Sequence, residues 1–367
     1  MQVGINIARM TSMEDVEATV NRLERVGLDH VWLPDHLMGY YHPQIWAELP
    51  GSQGVPTPEP SSYVWDGDGW LDPFCVAATI GRQTDLTIGT CVTDGTRRRG
   101  SDLARTVLTL CQATRGEFIL SVGAGEAMSL TPFGFPADRT VGNMESTLQD
   151  LRSILDTGRM PSGPGRLGLK LDGPNGRPKV WVAANSGRTL KLAGRYGDGW
   201  IHLGTTREMF EQQRDVVRAA ADAAGRPAPT AAVVVLCVLG ESREAVIETL
   251  DRSPLVKSIM LATPAAHWAA FGLDHPAGPD SRGLLDLLPH DLDVQTIRET
   301  APKIPIEMFE QFLVIGNAEE IESRLRPLVD AGIDHAIFTD VTVAAYPPDQ
   351  ADALQLEYGA LANLLRK

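Results

Sequence analysis

Short apolar segments with strand-like composition alternate with amphipathic helical segments along almost the whole chain. The first strand-like segment, residues 3–7, precedes residues 13–26, where apolar residues recur at helical spacing. The same strand-then-helix unit then repeats. Two of the predicted helices begin at clear capping residues, Asp72 before residues 73–82 and Ser101 at the start of residues 101–114. The predicted strands are residues 3–7, 30–33, 86–92, 118–122, 179–184, 199–203, 231–239 and 335–339.

Eight strand–helix units predict an α/β fold with a parallel sheet covered by helices. A TIM (β/α)8 barrel closes after eight strands and is favoured over an open doubly wound sheet. Such a framework needs about 250 residues, so the chain is expected to be one domain, residues 1–367, with long insertions. The insertions are predicted after strand 2, before strand 5 and between strands 7 and 8, at residues 37–71, 157–178 and 251–317. The first two are rich in Gly, Pro and aromatic residues, which is typical of loops that are mobile or cover a ligand.

The charge and cysteine content exclude several classes of protein. The chain has 33 Lys and Arg against 47 Asp and Glu, a net charge of −14, which argues against nucleic-acid binding. The four cysteines lie far apart and indicate neither a disulfide framework nor a zinc site, and no metal is expected. The longest apolar stretch, residues 231–239, is too short to span a membrane. These features predict a cytoplasmic protein that must hold any anionic ligand at a local site.

Polar side chains follow five of the eight predicted strands. Active sites of TIM barrels lie at the C-terminal ends of the strands, so these residues are expected to meet in one cleft. The residues at the five strand ends are Asp35 and His36, Thr93 and Asp94, Gly123 to Glu126, Asn185 to Arg188, and His202.

Three of these residues have side chains suited to acid–base chemistry or cofactor contact. Asp35 and His36 are adjacent, so one can face a cofactor while the other faces a substrate, and Glu126 follows a glycine-rich turn that lets a flat ligand approach. The alternative is that Asp35 caps backbone amides, His36 is a hydrogen-bonded core residue, and Glu126 is an ordinary loop residue. The turn before Glu126 is neither a dinucleotide-binding fingerprint nor a P-loop.

The fifth strand leads directly into the start of a helix. Residues 185–189, Asn-Ser-Gly-Arg-Thr, combine free helix amides with hydroxyl groups and an arginine, which predicts a phosphate-binding site. The alternative is an ordinary helix start with Ser186 as its cap. The run Arg97 to Arg99 could neutralise an anionic cofactor tail, but a solvated charge run is the favoured interpretation.

Four segments resemble the bacterial luciferase-like superfamily, in the branch that uses the deazaflavin coenzyme F420. Within that branch, residues 91–98 and 198–201 are most similar to the phthiodiolone ketoreductase group. The four segments are VWLPDHL at residues 31–37, IGTCVT at 88–93, LSVGAGEA at 120–127 and VWVAANSG at 180–187.

The resemblance implies a role for each matching residue. Asp35 would contact the deazaflavin ring, the Cys91–Val92 bond would be a cis peptide that bulges behind the ring, and the backbone around Ser186 would hold the phosphate. Glu126 and His36 would be the catalytic acid or its proton partner. The residues expected to bind the cofactor are Asp35, Cys91, Val92, Thr93, Gly125, Ala184, Asn185, Ser186 and Gly187.

The resulting hypothesis is an F420-dependent oxidoreductase, with hydride transfer from the reduced cofactor to a ketone on an apolar, polyketide-like substrate. The aromatic residues of the first long insertion favour such a substrate, unless they simply pack beneath the loop; they are Tyr40, Tyr41, Trp46, Tyr63, Trp65 and Trp70. The alternatives are an FMN-dependent monooxygenase of the same barrel and a non-catalytic flavin-binding barrel. The resemblance also implies a homodimer.

Overall fold

The computed structural model describes residues 1–52 and 67–367. Within this part of the chain, eight parallel strands form a closed barrel, which confirms the predicted TIM-barrel architecture. The barrel strands are β1 (Gln2–Asn6), β2 (His30–Leu33), β3 (Thr87–Thr90), β5 (Phe118–Gly123), β6 (Lys179–Ala183), β7 (Gly199–Leu203), β8 (Thr230–Leu239) and β10 (His335–Asp340). Two further strands are β4 (Thr93–Asp94) and β9 (Leu313–Gly316).

The last barrel strand closes the sheet by pairing on both of its edges. Its register places His335 beside Gln2 of β1 on one edge and beside Ala232 of β8 on the other, and both pairings are parallel. All eight barrel strands therefore point the same way, and their C-terminal ends form one rim. The side chains that follow the strands are thereby brought to the same end of the barrel.

The helices cover the outside of the barrel, and shorter helices occupy the insertions. In the described residues they are α1 (Met13–Arg25), α2 (Pro43–Trp46), α3 (Pro73–Ile80), α4 (Gly100–Ala113), α5 (Ala127–Leu130), α6 (Thr140–Thr157), α7 (Gly187–Tyr196), α8 (Arg207–Ala223), α9 (Arg243–Arg252), α10 (Ala265–Ala269), α11 (Val294–Thr300), α12 (Ile306–Phe312), α13 (Ala318–Asp330), α14 (Thr342–Ala345), α15 (Pro348–Leu354) and α16 (Glu357–Leu365). None of the helices seen in these residues has the length and apolar character needed to cross a membrane.

The strand predicted at residues 86–92 is shorter than expected. β3 ends at Thr90, and β4 begins at Thr93 after a cis peptide bond between Cys91 and Val92, the bond that the resemblance implied. β4 pairs only with β5, where Thr93 lies opposite Val122.

The sequence prediction missed strand β9 and misplaced one helix cap. β9 lies inside the insertion predicted to be irregular, and it pairs with the outer end of β8 beyond the point where β7 stops. It follows α12 directly, so no turn-forming residue in the sequence signals where the strand begins. Helix α4 begins at Gly100 with Arg99 at the cap position, so Ser101 is not its cap. Gly100 fits because a side chain there would collide with Asp150 of α6.

The base of the barrel is filled by large side chains placed over small neighbours. The His30 ring lies over Gly4, where a Cβ atom would come within 1.9 Å of its Nδ1. This space lets His30 Nε2 approach His335 Nδ1 to 3.2 Å across β1, while Trp32 Nε1 donates a hydrogen bond to His30 Nδ1 over 2.5 Å. His30 is thus fully buried, and His335 is partly buried beside it.

Burial of the histidine pair predicts a stability that depends on pH. Burial lowers the pKa of His335 to about 4 and holds the pKa of His30 well below its ordinary value. Between about pH 6.5 and pH 4 the unfolded chain therefore binds a proton that native His335 does not, so stability is complete above this window and falls as the pH drops through it.

We expect the free energy of unfolding, measured by urea titration at pH 7, 6 and 5, to fall more steeply in the native protein than in His335→Gln. Each pH unit in this window changes the ratio of folded to unfolded protein by up to about tenfold per shifted histidine. The other titrating groups are common to both proteins and serve as the internal control. Equal slopes would show that His335 does not resist protonation.

Candidate active site

A cavity of about 1130 Å³ opens at the C-terminal rim of the barrel. It brings together nearly all of the predicted site residues, whereas Gly187 does not line it. The predicted site residues that line it are Asp35, His36, Cys91, Val92, Thr93, Gly125, Glu126, Ala184, Asn185 and Ser186. The expectations for His202 and for the insertion at residues 157–178 are wrong.

His202 was expected to reach the cleft with the other residues at the strand ends. It packs against Trp200 and Phe210 and does not line the cavity.

The predicted insertion at residues 157–178 also contributes nothing to the cavity lining. This segment precedes β6, so it lies at the N-terminal end of the barrel. There Gly176 accepts a hydrogen bond from Cys111 Sγ over 3.2 Å, and Asn175 Nδ2 donates to the Arg115 carbonyl over 2.8 Å. The segment therefore packs beneath the barrel helices and does not cover a ligand.

The Asp35 carboxylate is buried and fully engaged by its neighbours. Its Oδ2 accepts a hydrogen bond from Thr93 Oγ1 over 2.6 Å and lies 3.2 Å from Arg97 Nη2 and 3.0 Å from Arg98 Nε. Arg97 also pairs with Asp94 over 2.5 Å and has only 6% of its side chain exposed. From the sequence, we favoured the interpretation that Arg97 to Arg99 are a solvated charge run. For Arg97 and Arg98 this interpretation is wrong, because both side chains pair with Asp35.

The hydrogen bonds around Asp35 link the ends of β2 and β4. Arg97 Nη2 donates to the Asp35 carbonyl over 2.5 Å, and Arg98 reaches on to Asp72, the residue that caps α3 as predicted. Bonds from Asp35 and Asp72 raise the pKa of the Arg98 guanidinium despite its partial burial. Asp35 therefore holds the rim together while one face of it remains in the cavity wall.

His36 and Glu126 form a close group together with Tyr40. His36 Nδ1 lies 3.4 Å from Glu126 Oε2, and His36 Nε2 lies 3.0 Å from the Tyr40 hydroxyl. Trp70 stands edge-on against the opposite side of the His36 ring, with centroids 5.4 Å apart. Burial first, and then the charge of Glu126, raise the pKa of Tyr40 well above its ordinary value, so the phenol stays protonated.

Tyr40 was predicted only as one of several loop aromatics. Its spacing of four residues from His36 was the available signal, but without knowing that residues 36–40 turn back on themselves it could not be interpreted. Among the other loop aromatics, Tyr41 and Trp46 pack with the insertion formed by residues 251–317. Tyr63 and Trp65 lie outside the described residues.

The predicted phosphate corner lies on the cavity wall where α7 begins. Ser186 Oγ is 3.1 Å from Thr189 Oγ1, and Thr189 Oγ1 accepts a hydrogen bond from the Ser186 N–H, so the capping arrangement is present. Asn185 is fixed by a bond from the Leu203 N–H to its Oδ1 over 2.9 Å, and Arg188 pairs with Glu145. The first-turn amides of a helix have no partners within the helix, so the cap and an anion site are compatible here.

Much of the remaining cavity wall comes from residues 251–317 and is rich in apolar side chains. These apolar side chains belong to, or pack against, a second hydrophobic cluster beside the barrel. The apolar residues on this wall include Ile259, Ala262, Leu284, Phe312 and Val343, and the same insertion also contributes Thr263, His267, Arg282 and Gln311. The cavity thus has a polar side at the rim of β2 to β6 and a more apolar side at the insertion. In the part of the chain that is described, no cluster of His, Cys, Asp or Glu is arranged to hold a metal ion.

Comparison with protein families and sequences gives matches over most of the chain. Residues 2–335 match the family described as luciferase-like monooxygenase. Phthiodiolone/phenolphthiodiolone dimycocerosates ketoreductase of Mycobacterium kansasii is 29% identical over 93% of this chain and 95% of its own, and that of Mycobacterium sp. (strain JLS) is 32% identical over 87% and 85%. F420-dependent glucose-6-phosphate dehydrogenase of Kribbella flavida is 26% identical over 86% of this chain and 85% of its own.

Solved structures share the fold at lower identity. An F420-dependent secondary alcohol dehydrogenase in complex with an F420-acetone adduct superimposes with a TM-score of 0.68 at 18% identity, over 100% of this chain and 99% of the other. A riboflavin lyase with modified FMN superimposes with a TM-score of 0.67 at 17% identity, over 100% and 91%. At these identities the likeness establishes the barrel alone.

Because Arg97 is buried and Arg99 is exposed, substitutions at these two positions should have very different effects on the free energy of unfolding. We expect Arg97→Met to lower the free energy of unfolding by roughly 3–5 kcal/mol, because it leaves the buried carboxylate of Asp94 without its arginine and leaves Asp35 with Arg98 alone. Arg99→Met, at an exposed position, is the matched control and should change stability by less than about 0.5 kcal/mol. Urea unfolding of both proteins measures the difference, and similar values would contradict the structural role of Arg97.

Proposed function

The chain belongs to the luciferase-like monooxygenase family, and we propose that within it the protein is an F420-dependent oxidoreductase that reduces the carbonyl group of an apolar substrate. The observation that carries the proposal is the group of His36, Tyr40 and Glu126, which lies in the same cavity as the Cys91–Val92 bond. Similarity to ketoreductases and to an F420-dependent dehydrogenase supports both the cofactor and the reaction.

The residues present fit a flavin-like group with a phosphate. Gly125 has a φ of 95°, which favours glycine and keeps the turn before Glu126 free of a side chain. Three buried polar atoms of cavity-lining residues, Glu126 Oε2, Asn6 Oδ1 and His267 Nε2, have no hydrogen-bond partner among the described residues, as expected where a polar ligand binds. We propose that Asp35, Cys91, Val92, Thr93 and Gly125 contact the ring system of the cofactor.

The phosphate is assigned to the start of α7. Ala184, Asn185, Ser186 and Gly187 would hold it through backbone amides and the Ser186 hydroxyl, which gives an acidic protein a local anion site. Gly187 itself does not line the cavity, but its neighbours Ser186 and Arg188 do, so its backbone N–H would act from the edge of the site.

In this mechanism the protein orients the carbonyl and supplies a proton. Bound reduced F420 supplies a hydride in one two-electron step. The group that contains His36 and Glu126 lies at the cavity and would supply the proton to the carbonyl oxygen as negative charge develops there. The apolar wall formed by Ile259, Leu284 and Phe312 favours a substrate with a hydrocarbon body, such as a polyketide-derived ketone.

FMN is the second candidate cofactor. The specific observation in its favour is the fold similarity to a riboflavin lyase with modified FMN, whose barrel this chain shares. A monooxygenase would use the same phosphate corner, so the two cofactors are separated by binding and not by the position of Ser186. A barrel that only stores a flavin-like ligand would bind cofactor without consuming it.

The cellular setting belongs to the same proposal. We place the protein in the cytoplasm, in keeping with four free cysteines, and we propose a homodimer with a small-molecule carbonyl as its substrate. Light scattering during size-exclusion chromatography tests the dimer.

The cofactor proposal predicts selective binding. Under anaerobic conditions we expect the purified protein to bind oxidised F420 at micromolar concentration and FMN at least about tenfold more weakly, in absorbance or fluorescence titrations. Reduced F420 should then be consumed when an aliphatic methyl ketone is added. Binding of FMN alone would overturn the cofactor, and binding of F420 without turnover of any ketone would favour storage.

The acid–base group predicts a loss of turnover without a loss of cofactor. We expect Glu126→Gln and His36→Ala each to lower kcat by about 10²-fold or more, because positioned acid–base groups typically contribute that much, while the Kd for F420 changes less than about threefold. Glu208→Gln, at an exposed position on α8, is the control and should leave both quantities unchanged. Full activity in both active-site variants would remove this assignment.

The phosphate corner predicts a charge effect confined to one helix. Ser186→Asp places a negative charge where the phosphate is proposed to bind, and we expect it to weaken F420 binding more than about tenfold. Ser242→Asp is the matched control, because Ser242 caps α9, a barrel helix that does not border the cavity. Equal affinities for the two variants would place the phosphate elsewhere.

A further inference from the structure

The Tyr40 hydroxyl lies beside His36 at the cavity. His36 Nε2 is 3.0 Å from this hydroxyl, and His36 Nδ1 is 3.4 Å from Glu126 Oε2, which has no hydrogen-bond partner among the described residues. Tyr40 itself lines the cavity, and a phenol carries a proton that it can donate. The site therefore holds a third side chain that can contact a substrate oxygen, next to the two residues predicted from the sequence.

We propose, on the basis of the proposed reductase function, that Tyr40 is the catalytic residue that donates the proton to the substrate oxygen, and that His36 and Glu126 are the relay behind it. The three residues then have separate tasks: Tyr40 contacts the substrate, His36 resupplies Tyr40 with a proton, and Glu126 orients the His36 ring from its Nδ1 side.

The position of Tyr40 suits this role. It lines the same cavity as Cys91 and Val92. The adjacent Gly39 N–H donates to Asp68 Oδ1 over 2.8 Å, and His290 bonds Asp68 Oδ2 over 2.7 Å. The loop segment that carries Tyr40 is thus anchored to the insertion formed by residues 251–317.

The proposed reaction consists of one hydride transfer and two proton transfers, and its protons and electrons balance. The hydride forms the new C–H bond as the carbonyl π bond breaks, and the cofactor is oxidised by two electrons. The Tyr40 O–H proton moves to the alkoxide oxygen, and His36 Nε2–H moves to the phenolate oxygen. The proton that His36 gives up is replaced from water before the next turnover.

The surroundings of Tyr40 keep its proton in place until it is needed. The titratable groups that face it are His36, Glu126 and Cys91. Burial first, and then the charge of Glu126, raise the pKa of the phenol well above its ordinary value, so Tyr40 keeps its proton at neutral pH, and an alkoxide is still basic enough to take it.

The test is Tyr40→Phe in the full-length protein. We expect kcat for reduction of 2-decanone by reduced F420 to fall about 10²- to 10⁴-fold, with the Kd for F420 unchanged within about twofold. In the double variant Tyr40→Phe/His36→Gln, kcat should fall no further than in the worse single variant, since members of one relay are not additive. Tyr346→Phe, which removes the hydroxyl of a buried tyrosine outside the cavity lining, should leave kcat unchanged.

A second readout does not depend on turnover. In ¹⁵N-histidine-labelled protein without cofactor, Tyr40→Phe should shift the His36 Nε2 resonance, because its hydrogen bond to the phenol is lost, whereas Tyr346→Phe should not. An unshifted resonance overturns the relay. A kcat within twofold of native overturns Tyr40 as the donor. If the native protein itself reduces no ketone, the proposed function fails, and with it the role of Tyr40, even where the resonance shifts.

Discussion

The rest of the structure depends on how the barrel interior is filled. Trp32 lies over Gly89 and Trp181 lies over Gly199, and a Cβ atom at either glycine would come within 2.5 Å of the indole beside it. The two indoles contact each other with ring centroids 5.2 Å apart, so the lower part of the barrel is solid. A ligand can therefore enter only from the C-terminal rim, where all eight strands end in the same direction. Closure of the sheet and filling of its base together dictate where the chemistry must occur.

Charge at that rim is arranged in a way that net charge alone does not reveal. The protein is acidic overall, with a net charge of −14, yet the cavity wall contains buried Arg97 paired with Asp35 and Asp94. Two arginines on one buried carboxylate hold Asp35 in a fixed position and balance its charge beside a bound ligand. An anionic cofactor thus meets a locally balanced surface, and its phosphate is proposed to be held by the amides at the start of α7.

The sequence was sufficient to predict the features that depend on local pattern. Alternating strands and helices gave the barrel, and the position of polar residues after the strands placed Asp35, His36, Glu126 and Ser186 at one cavity, as the structure finds. What failed depends on contacts between distant residues. Arg97 is indistinguishable from a solvated arginine until Asp35, 62 residues earlier, is brought against it. β9 escaped prediction because it is a strand only through its pairing with β8.

The cavity separates the proposed chemistry from the shape of the substrate site. The proposed proton-transfer residues, His36, Tyr40 and Glu126, lie at the rim of the barrel and follow β2 and β5. The apolar part of the wall comes from residues 251–317, whose apolar side chains pack in a separate hydrophobic cluster. Changes in that cluster can alter the space for a substrate while leaving His36 and Glu126 in place. A chain of hydrogen bonds connects the two parts: His290 of the insertion bonds Asp68, and Asp68 accepts a hydrogen bond from the backbone N–H next to Tyr40. The insertion therefore both bounds the substrate space and positions the proposed donor, so repacking it near His290 would affect turnover as well as substrate choice.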